Sequence, residues 1–142
     1  MNSIYEKRPW LKTYPDWIPP DIGLPFLTPL DDFRVSAQAS ADHAAVYYFD
    51  HSISFREMDQ FSNCLASAFA GLGIQKGDRV MLVLQNIPQF LIGLYGAWKA
   101  GAVVVPLNPM YKEKELTYFC RDSGAKILMI MDEVAKNLIL PS

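Results

Sequence analysis

Four groups of side chains in these 142 residues are of types that do chemistry. His43 and His51 each follow an aspartate, an arrangement that metal sites and acid–base pairs both use. No carboxylate or cysteine set stands at ligand spacing from either, so both read as surface loop histidines flanking a strand and its turn. Cys64 and Cys120 fall on separate expected helices, without metal-ligand or redox spacing, and read as two reduced cytosolic thiols. Lys112-Glu113-Lys114-Glu115 reads as the solvated first turn of a helix. The fourth group is a pair of segments that each follow an apolar run: Pro106-Leu107-Asn108-Pro109-Met110-Tyr111 and Asp132-Glu133-Val134-Ala135-Lys136. In open α/β sheets ligands sit beyond the carboxyl ends of the strands. Both segments are therefore either ordinary connections with a helix cap or the rim of a ligand site. No residue is assigned a catalytic or metal-binding role.

Nucleotide-binding fingerprints are missing from the chain. Gly71-Leu72-Gly73 closes a helix instead of following a strand, so it is a helix stop and not a dinucleotide loop. No GxxxxGK[ST] occurs, and no serine stands in a nucleophile elbow.

The two strand-end segments must be positioned by elements that periodicity makes visible. Residues 79–85 and 102–105 are apolar runs short enough for buried strands, and residues 126–131 form a third. Between the first two, Asn86 is expected to cap a helix whose first turn holds Pro88. Phe90, Leu91, Ile92, Leu94, Tyr95, Ala97 and Trp98 leave that helix almost no polar face, so it should be sandwiched between layers. Gly93 and Gly96 should let it approach the sheet closely, and Gly101 ends it. Residues 112–123 are amphipathic through Leu116, Phe119 and Cys120, with Gly124 as the stop. From Asp132 to Pro141 the chain reads as helical again. Residues 79–131 thus spell β-α-β-α-β, the half-unit of a doubly wound parallel sheet.

Ahead of this unit, residues 30–40 read as a short helix with Leu30 or Phe33 turned inward. Residues 44–49 read as a strand that turns at Asp50-His51 into a hairpin. Ser54-Phe55-Arg56-Glu57 matches a capping box. The helix it opens carries a stripe of Phe55, Met58, Phe61, Leu65, Phe69 and Leu72. Residues 1–30 hold Pro9, Pro15, Pro19, Pro20, Pro25 and Pro29 beside Trp10, Tyr14, Trp17, Ile18 and Phe26. That composition predicts an extended arm without helix or sheet, clamped onto a surface of its own chain or another. The division expected is an arm over 1–30 and a partial α/β domain over 31–142.

Composition limits the remaining possibilities. A hydrophobic fraction of 51% with 13% aromatics excludes a disordered tail. A net charge of −2 with scattered Lys and Arg gives no nucleic-acid footprint. No apolar window reaches the length of a membrane span, and the first residues lack a signal-peptide core. A soluble cytoplasmic protein is expected.

Several of these runs are also similar in wording to one superfamily. Gly77-Asp78-Arg79-Val80, Asn86-Ile87-Pro88-Gln89-Phe90, residues 93–102 (GLYGAWKAGA) and Pro106-Leu107-Asn108-Pro109 follow in order and resemble the adenylate-forming acyl-CoA synthetases. Trp10-Leu11-Lys12-Thr13-Tyr14-Pro15 followed by Ile18-Pro19-Pro20-Asp21-Ile22 is similar to the leader of long-chain fatty-acid–CoA ligases. The resemblance implies a parent enzyme that uses ATP and Mg2+ to turn a fatty acid into an acyl-adenylate and then passes the acyl group to coenzyme A. It also implies that Leu107, Asn108 and Pro109 lie near the adenine or ribose of CoA, and Lys136 near a phosphate. Lys112 stands where such relatives often carry a small hydroxyl residue. Their phosphate-clamping loop, aromatic-Gly-x-Thr-Glu segment, ribose-binding aspartate and mobile-domain lysine map onto no position here.

Three readings follow. The chain is the amino-terminal part of a fatty-acid–CoA ligase, ends at Ser142 as if cut, and is inactive alone. Alternatively it is a stand-alone module that binds CoA or a nucleotide without chemistry. Or it is an interaction piece that forms homodimers through the arm or an uncovered sheet.

Overall fold

The computed structural model describes residues 4–21, 23 and 28–136. Ile22, Pro25 and Phe26 of the arm, and the expected helix beyond Lys136, lie outside the described residues.

The arm is more helical than its prolines suggest. A short helix α1 (Ile4–Lys7) is followed by a 3-10 turn over Pro9–Thr13. Proline at the first position of such a turn pre-sets φ and forfeits an amide that would be unpaired anyway. Arg8 reaches across with its guanidinium, donating to the Asp21 carboxylate at 2.8 and 3.1 Å and to the Pro20 carbonyl.

Helix α2 (Pro29–Ala39) opens on Thr28, whose hydroxyl accepts from the Asp31 amide, and buries Phe33. Strands β1 (Ala44–Tyr48) and β2 (His51–Ser54) form the hairpin. Tyr48 pairs with His51, so the turn is Phe49-Asp50, one residue earlier than expected, and Phe49 takes the left-handed conformation with φ 50. Helix α3 (Phe55–Gly71) starts from the capping box: Glu57 accepts from the Ser54 amide at 2.9 Å while Ser54 Oγ accepts from the Glu57 amide. Met58 and Phe69 of its stripe are buried, but Phe61 and Leu72 are exposed. Leu72 lies at the C-cap, past the last turn of α3, and Phe61 borders an open groove with Pro88, Gln89 and Ile92.

Strands β3 (Arg79–Val83), β4 (Val103–Leu107) and β5 (Ile127–Ile130) form one parallel sheet in the order β4-β3-β5. β3 is central and buried throughout from Val80 to Val83, which is why it reads as an unbroken apolar run. Helices α4 (Pro88–Lys99) and α5 (Glu113–Ser123) are the crossovers. From β3 the chain steps outward to β4, then returns across β3 to β5. Right-handed crossovers in that order place α4 and α5 on opposite faces. Alternation along the strands confirms it: Val80 and Leu82 pack with Ala97 and Phe69, whereas Met81 and Val83 pack with Leu116 and Phe119.

Helix α4 lies between the sheet and α3, but its large side chains, Trp98 included, are half-buried and only its small ones are fully enclosed. The two glycines serve different neighbours. A Cβ at Gly93 would sit 3.1–3.2 Å from Met129 and Leu82 of the sheet, whereas one at Gly96 would meet Leu65 of α3 at the same range. Three residues turn a helix by about 300°, which leaves the two positions about 60° apart, enough for one to meet the sheet and the other α3.

Two polar devices close the unit. Arg79, first in β3, donates to the carbonyls of Ser123 at 2.7 Å and Gly124 at 2.9 Å, capping the end of α5. Lys99 folds its ammonium between α3 and α4, donating to Asp59 Oδ1 at 2.7 Å, Ser62 Oγ at 2.7 Å, Asn63 Oδ1 at 2.8 Å and the Asp59 carbonyl at 3.1 Å. The same charge stands 5.3 Å above the Phe33 ring.

Candidate functional site

A cleft of ≈ 430 Å³ opens at the carboxyl ends of β3 and β4. Three consecutive residues leaving β3, Leu84, Gln85 and Asn86, form one wall, with Phe90 of α4 beneath them. Residues 106–110, leaving β4, form the other. Parallel register makes this juxtaposition: Leu82 stands beside Pro106 and Val83 beside Leu107, so both chains quit the sheet at the same level.

Asn108 shapes the second wall. Its Oδ1 accepts from the Met110 amide at 2.9 Å and its carbonyl from the Tyr111 amide at 3.1 Å, which turns the backbone tightly after the strand. Leu107 is shared between the cleft and the core under α5. On the opposite wall the Ile87 amide bonds to the Gln85 carbonyl at 2.8 Å, and Ile87, not Asn86, is the residue that enters α4. The expected Asn86 cap is therefore corrected: no side chain caps α4, and the Asn86 amide is left at the cleft. Gln85 and Asn86 are both exposed and make no side-chain hydrogen bond among the described residues. No charged residue is among those lining the cleft.

Of the four residues singled out from the sequence, the structure brings Leu107, Asn108 and Pro109 together in this cleft. Lys136 stands apart. It ends α6 (Asp132–Lys136) after β5, on the other flank of β3, and its ammonium donates to Asp132 Oδ2 at 2.7 Å. Gln85, Asn86 and Phe90 were not singled out as site residues. The available signal was a polar pair directly after a fully apolar strand.

The histidines do not form a site. His43 and His51 are exposed, with His51 inside β2 instead of a loop, and Asp42 is held by the Arg56 guanidinium at 3.0 and 3.2 Å. That contact, and the charge behind it, hold the Asp42 carboxyl below the usual range. Among the described residues no cluster of His, Cys, Asp and Glu could hold a metal, and no helix is long and apolar enough to cross a membrane. Lys112 precedes α5 with its amide donating to Glu115 Oε2 at 3.0 Å, the half of a capping box that needs no hydroxyl, and the Glu115 amide that a hydroxyl would serve bonds to the Lys112 carbonyl at 3.0 Å.

Comparison with known proteins gives a consistent result. A family model described as AMP-binding enzyme matches residues 33–141. A long-chain-fatty-acid–CoA ligase of Bacillus subtilis is 36% identical over 129 residues, covering 91% of this chain and 23% of the relative. Among solved structures, a Mycobacterium tuberculosis fatty acyl CoA synthetase superposes with a TM-score of 0.70 at 32% identity, over 75% of this chain and 22% of that one. An anthranilate CoA ligase in complex with anthranoyl-AMP gives 0.72 at 26% identity, over 75% and 21%. The chain thus spans about a quarter of the length of the relatives it matches.

Proposed function

The chain belongs to the AMP-binding enzyme family, and from that premise we propose that it forms the amino-terminal part of the large domain of a long-chain fatty-acid–CoA ligase. Its parent uses ATP and Mg2+ to activate a fatty acid and coenzyme A to receive the acyl group. Within this part, the β3–β4 cleft receives the nucleotide end of CoA against Leu107, Asn108 and Pro109. Lys136 supplies a positive charge to a phosphate that projects past β5. The observation that carries the reading is the cleft itself, built at the carboxyl ends of parallel strands in a chain 36% identical to a fatty-acid–CoA ligase.

The residues described here do not fit a Mg-ATP site. A triphosphate with its metal needs carboxylates or a cradle of amides and cations, and the cleft offers neither. The chain on its own therefore binds and positions without performing the transfer. What it can do is present an uncharged, half-apolar slot to a heterocycle.

A chimera tests the proposal. Replacing the matching first quarter of the Bacillus subtilis ligase with this chain should give a soluble enzyme that forms palmitoyl-CoA from palmitate, ATP and CoA. A folded chimera that releases no pyrophosphate, or the isolated 142-residue chain making acyl-CoA by itself, defeats it. A module that binds CoA or a nucleotide without chemistry is the second reading; the cleft lined by residues 84–86, 90 and 106–110 speaks for it, and the separation of Lys136 from that cleft speaks against it.

A further inference from the structure

We propose that the tip of the β1–β2 hairpin, Tyr47 with Phe49, docks on a zwitterionic lipid surface, whose headgroup boundary takes up the two rings. Neither residue lines the β3–β4 cleft, so this role stands apart from the nucleotide reading.

The hairpin turns through Phe49 and Asp50. Phe49, at the first central position, has φ 50, and Asp50 does not share the positive φ. A two-residue turn of that pattern favours glycine there, because a residue with a Cβ is strained in the left-handed region. The ring gains no shelter in return. It is 86% exposed, and its ring neighbour is Tyr48, edge-on at 4.6 Å. Tyr47, just before them in β1, is 82% exposed and has no ring partner among the described residues. The fold thus holds two large aromatic side chains out in water, one of them against its own backbone preference. Strain that the surrounding structure maintains points to a use for the residue.

Charge at the tip decides between a protein partner and a lipid surface. Asp50 and His51 are exposed, and their side chains make no hydrogen bond or ion pair among the described residues. A close-packed protein covering Phe49 would enclose the neighbouring carboxylate and the polar backbone of the turn, each at a desolvation cost. A headgroup layer is hydrated, so Asp50 stays wet while the rings enter the apolar boundary, where amphipathic aromatic side chains are favoured. No lysine or arginine lies between Asp42 and Phe55, and Arg56 is held by Asp42 at 3.0 and 3.2 Å. Attraction to anionic lipid has no source on this hairpin, and the surface that fits is zwitterionic.

The full 142-residue chain is mixed with phosphatidylcholine vesicles, with and without phosphatidylserine, and the bound fraction is read by flotation. The expected result is saturable binding that phosphatidylserine does not strengthen and that changes less than about twofold between low salt and about 0.5 M salt. Phe49→Asn introduces a residue that tolerates the left-handed region. It should unfold at the same or a higher temperature yet lose at least about tenfold in vesicle affinity, the effect of withdrawing one phenyl ring from an apolar phase. Tyr47→Ser should weaken binding in the same direction. Phe49→Trp should be quenched by lipids brominated in their acyl chains more strongly than the unaltered chain. Four results overturn the inference: no flotation of the unaltered chain, undiminished flotation of Phe49→Asn and Tyr47→Ser, a lowered unfolding temperature for Phe49→Asn, or quenching of Phe49→Trp no greater than that of the unaltered chain. The last would place the tryptophans of the arm at the lipid instead. Self-association without vesicles that Phe49→Asn abolishes would identify a protein surface, and it also overturns the inference.

Discussion

Lys99 is the position where a single substitution reads the packing of α3 on α4. Its side chain is 7% exposed, and its three N–H groups serve four oxygens on α3. Lys99→Met keeps the length and the apolar stem but removes every donor. Breaking a fully buried ion pair costs about 3–5 kcal/mol because a charge is left without a partner. Here the stranded partner is Asp59, whose side chain is 36% exposed and can be rehydrated. That exposure discounts the penalty, since solvent recovers much of what the lost partner supplied. Ser62 keeps its own bond to the Met58 carbonyl at 2.7 Å, and loses only the donor that pointed at its oxygen. A loss of about 2–3 kcal/mol in urea unfolding is the expected outcome. In a double-mutant cycle with Asp59→Asn, at least about 1 kcal/mol should be non-additive. A Lys99→Met loss below about 0.5 kcal/mol, or strict additivity with Asp59→Asn, would show that the pair is a surface contact and that α3 and α4 are held by apolar packing alone.

Glycine packing and one depressed carboxyl give two further expected outcomes. Gly96→Ala should destabilise by about 1 kcal/mol despite alanine's better helix propensity, because its methyl would press on Leu65 at 3.1–3.2 Å; Gly71→Ala, with open space around it, should be neutral or stabilising by up to about 1 kcal/mol, and thermal unfolding of the pair checks both signs. The Asp78 carboxyl is held below its ordinary range by the Lys126 ammonium first and then by the Gln75 amide. A depressed carboxyl stabilises the fold above its unfolded-state value near 4 and loses that contribution as pH falls through the lower folded value. Asp78→Asn should therefore reduce stability at pH 7 and flatten the fall below pH 4, and an unchanged acid slope would refute the assignment.

The parallel unit was legible because its signals agreed: apolar runs for the strands, a proline opening α4 and a glycine closing α5. Burial was not, since β3 is covered throughout while β4, expected to be buried, lies at the sheet edge with Val103 exposed. Readings failed where the answer depended on what an element packs against. Phe61 and Leu72 continue a faultless stripe, yet both stay exposed, Phe61 on an open groove beside Pro88, Gln89 and Ile92 of α4 and Leu72 at the end of α3. The spacing of Gly96 shows that a close approach is needed without showing to what, and the neighbour is Leu65 of α3, not the sheet. Lys99 carries no local sign of its role, since its acceptors lie 36–40 residues earlier in the chain. The site divides in the same way. The loop after β4 was visible as a strand end, but its partnership with Gln85 and Asn86 follows from strand register, and a helix cap was the simpler local reading of Asn86.

The strand order also sets a timetable for synthesis. β3 leaves the ribosome before either of its neighbours, and its apolar run stays without a partner on both edges until β4 and then β5 emerge. At roughly 5–20 residues per second the wait for β5 lasts on the order of 2–10 s. Through that interval the nascent chain exposes its stickiest segment, an opening for a chaperone that is shut only when Arg79 grips the carbonyls of Ser123 and Gly124.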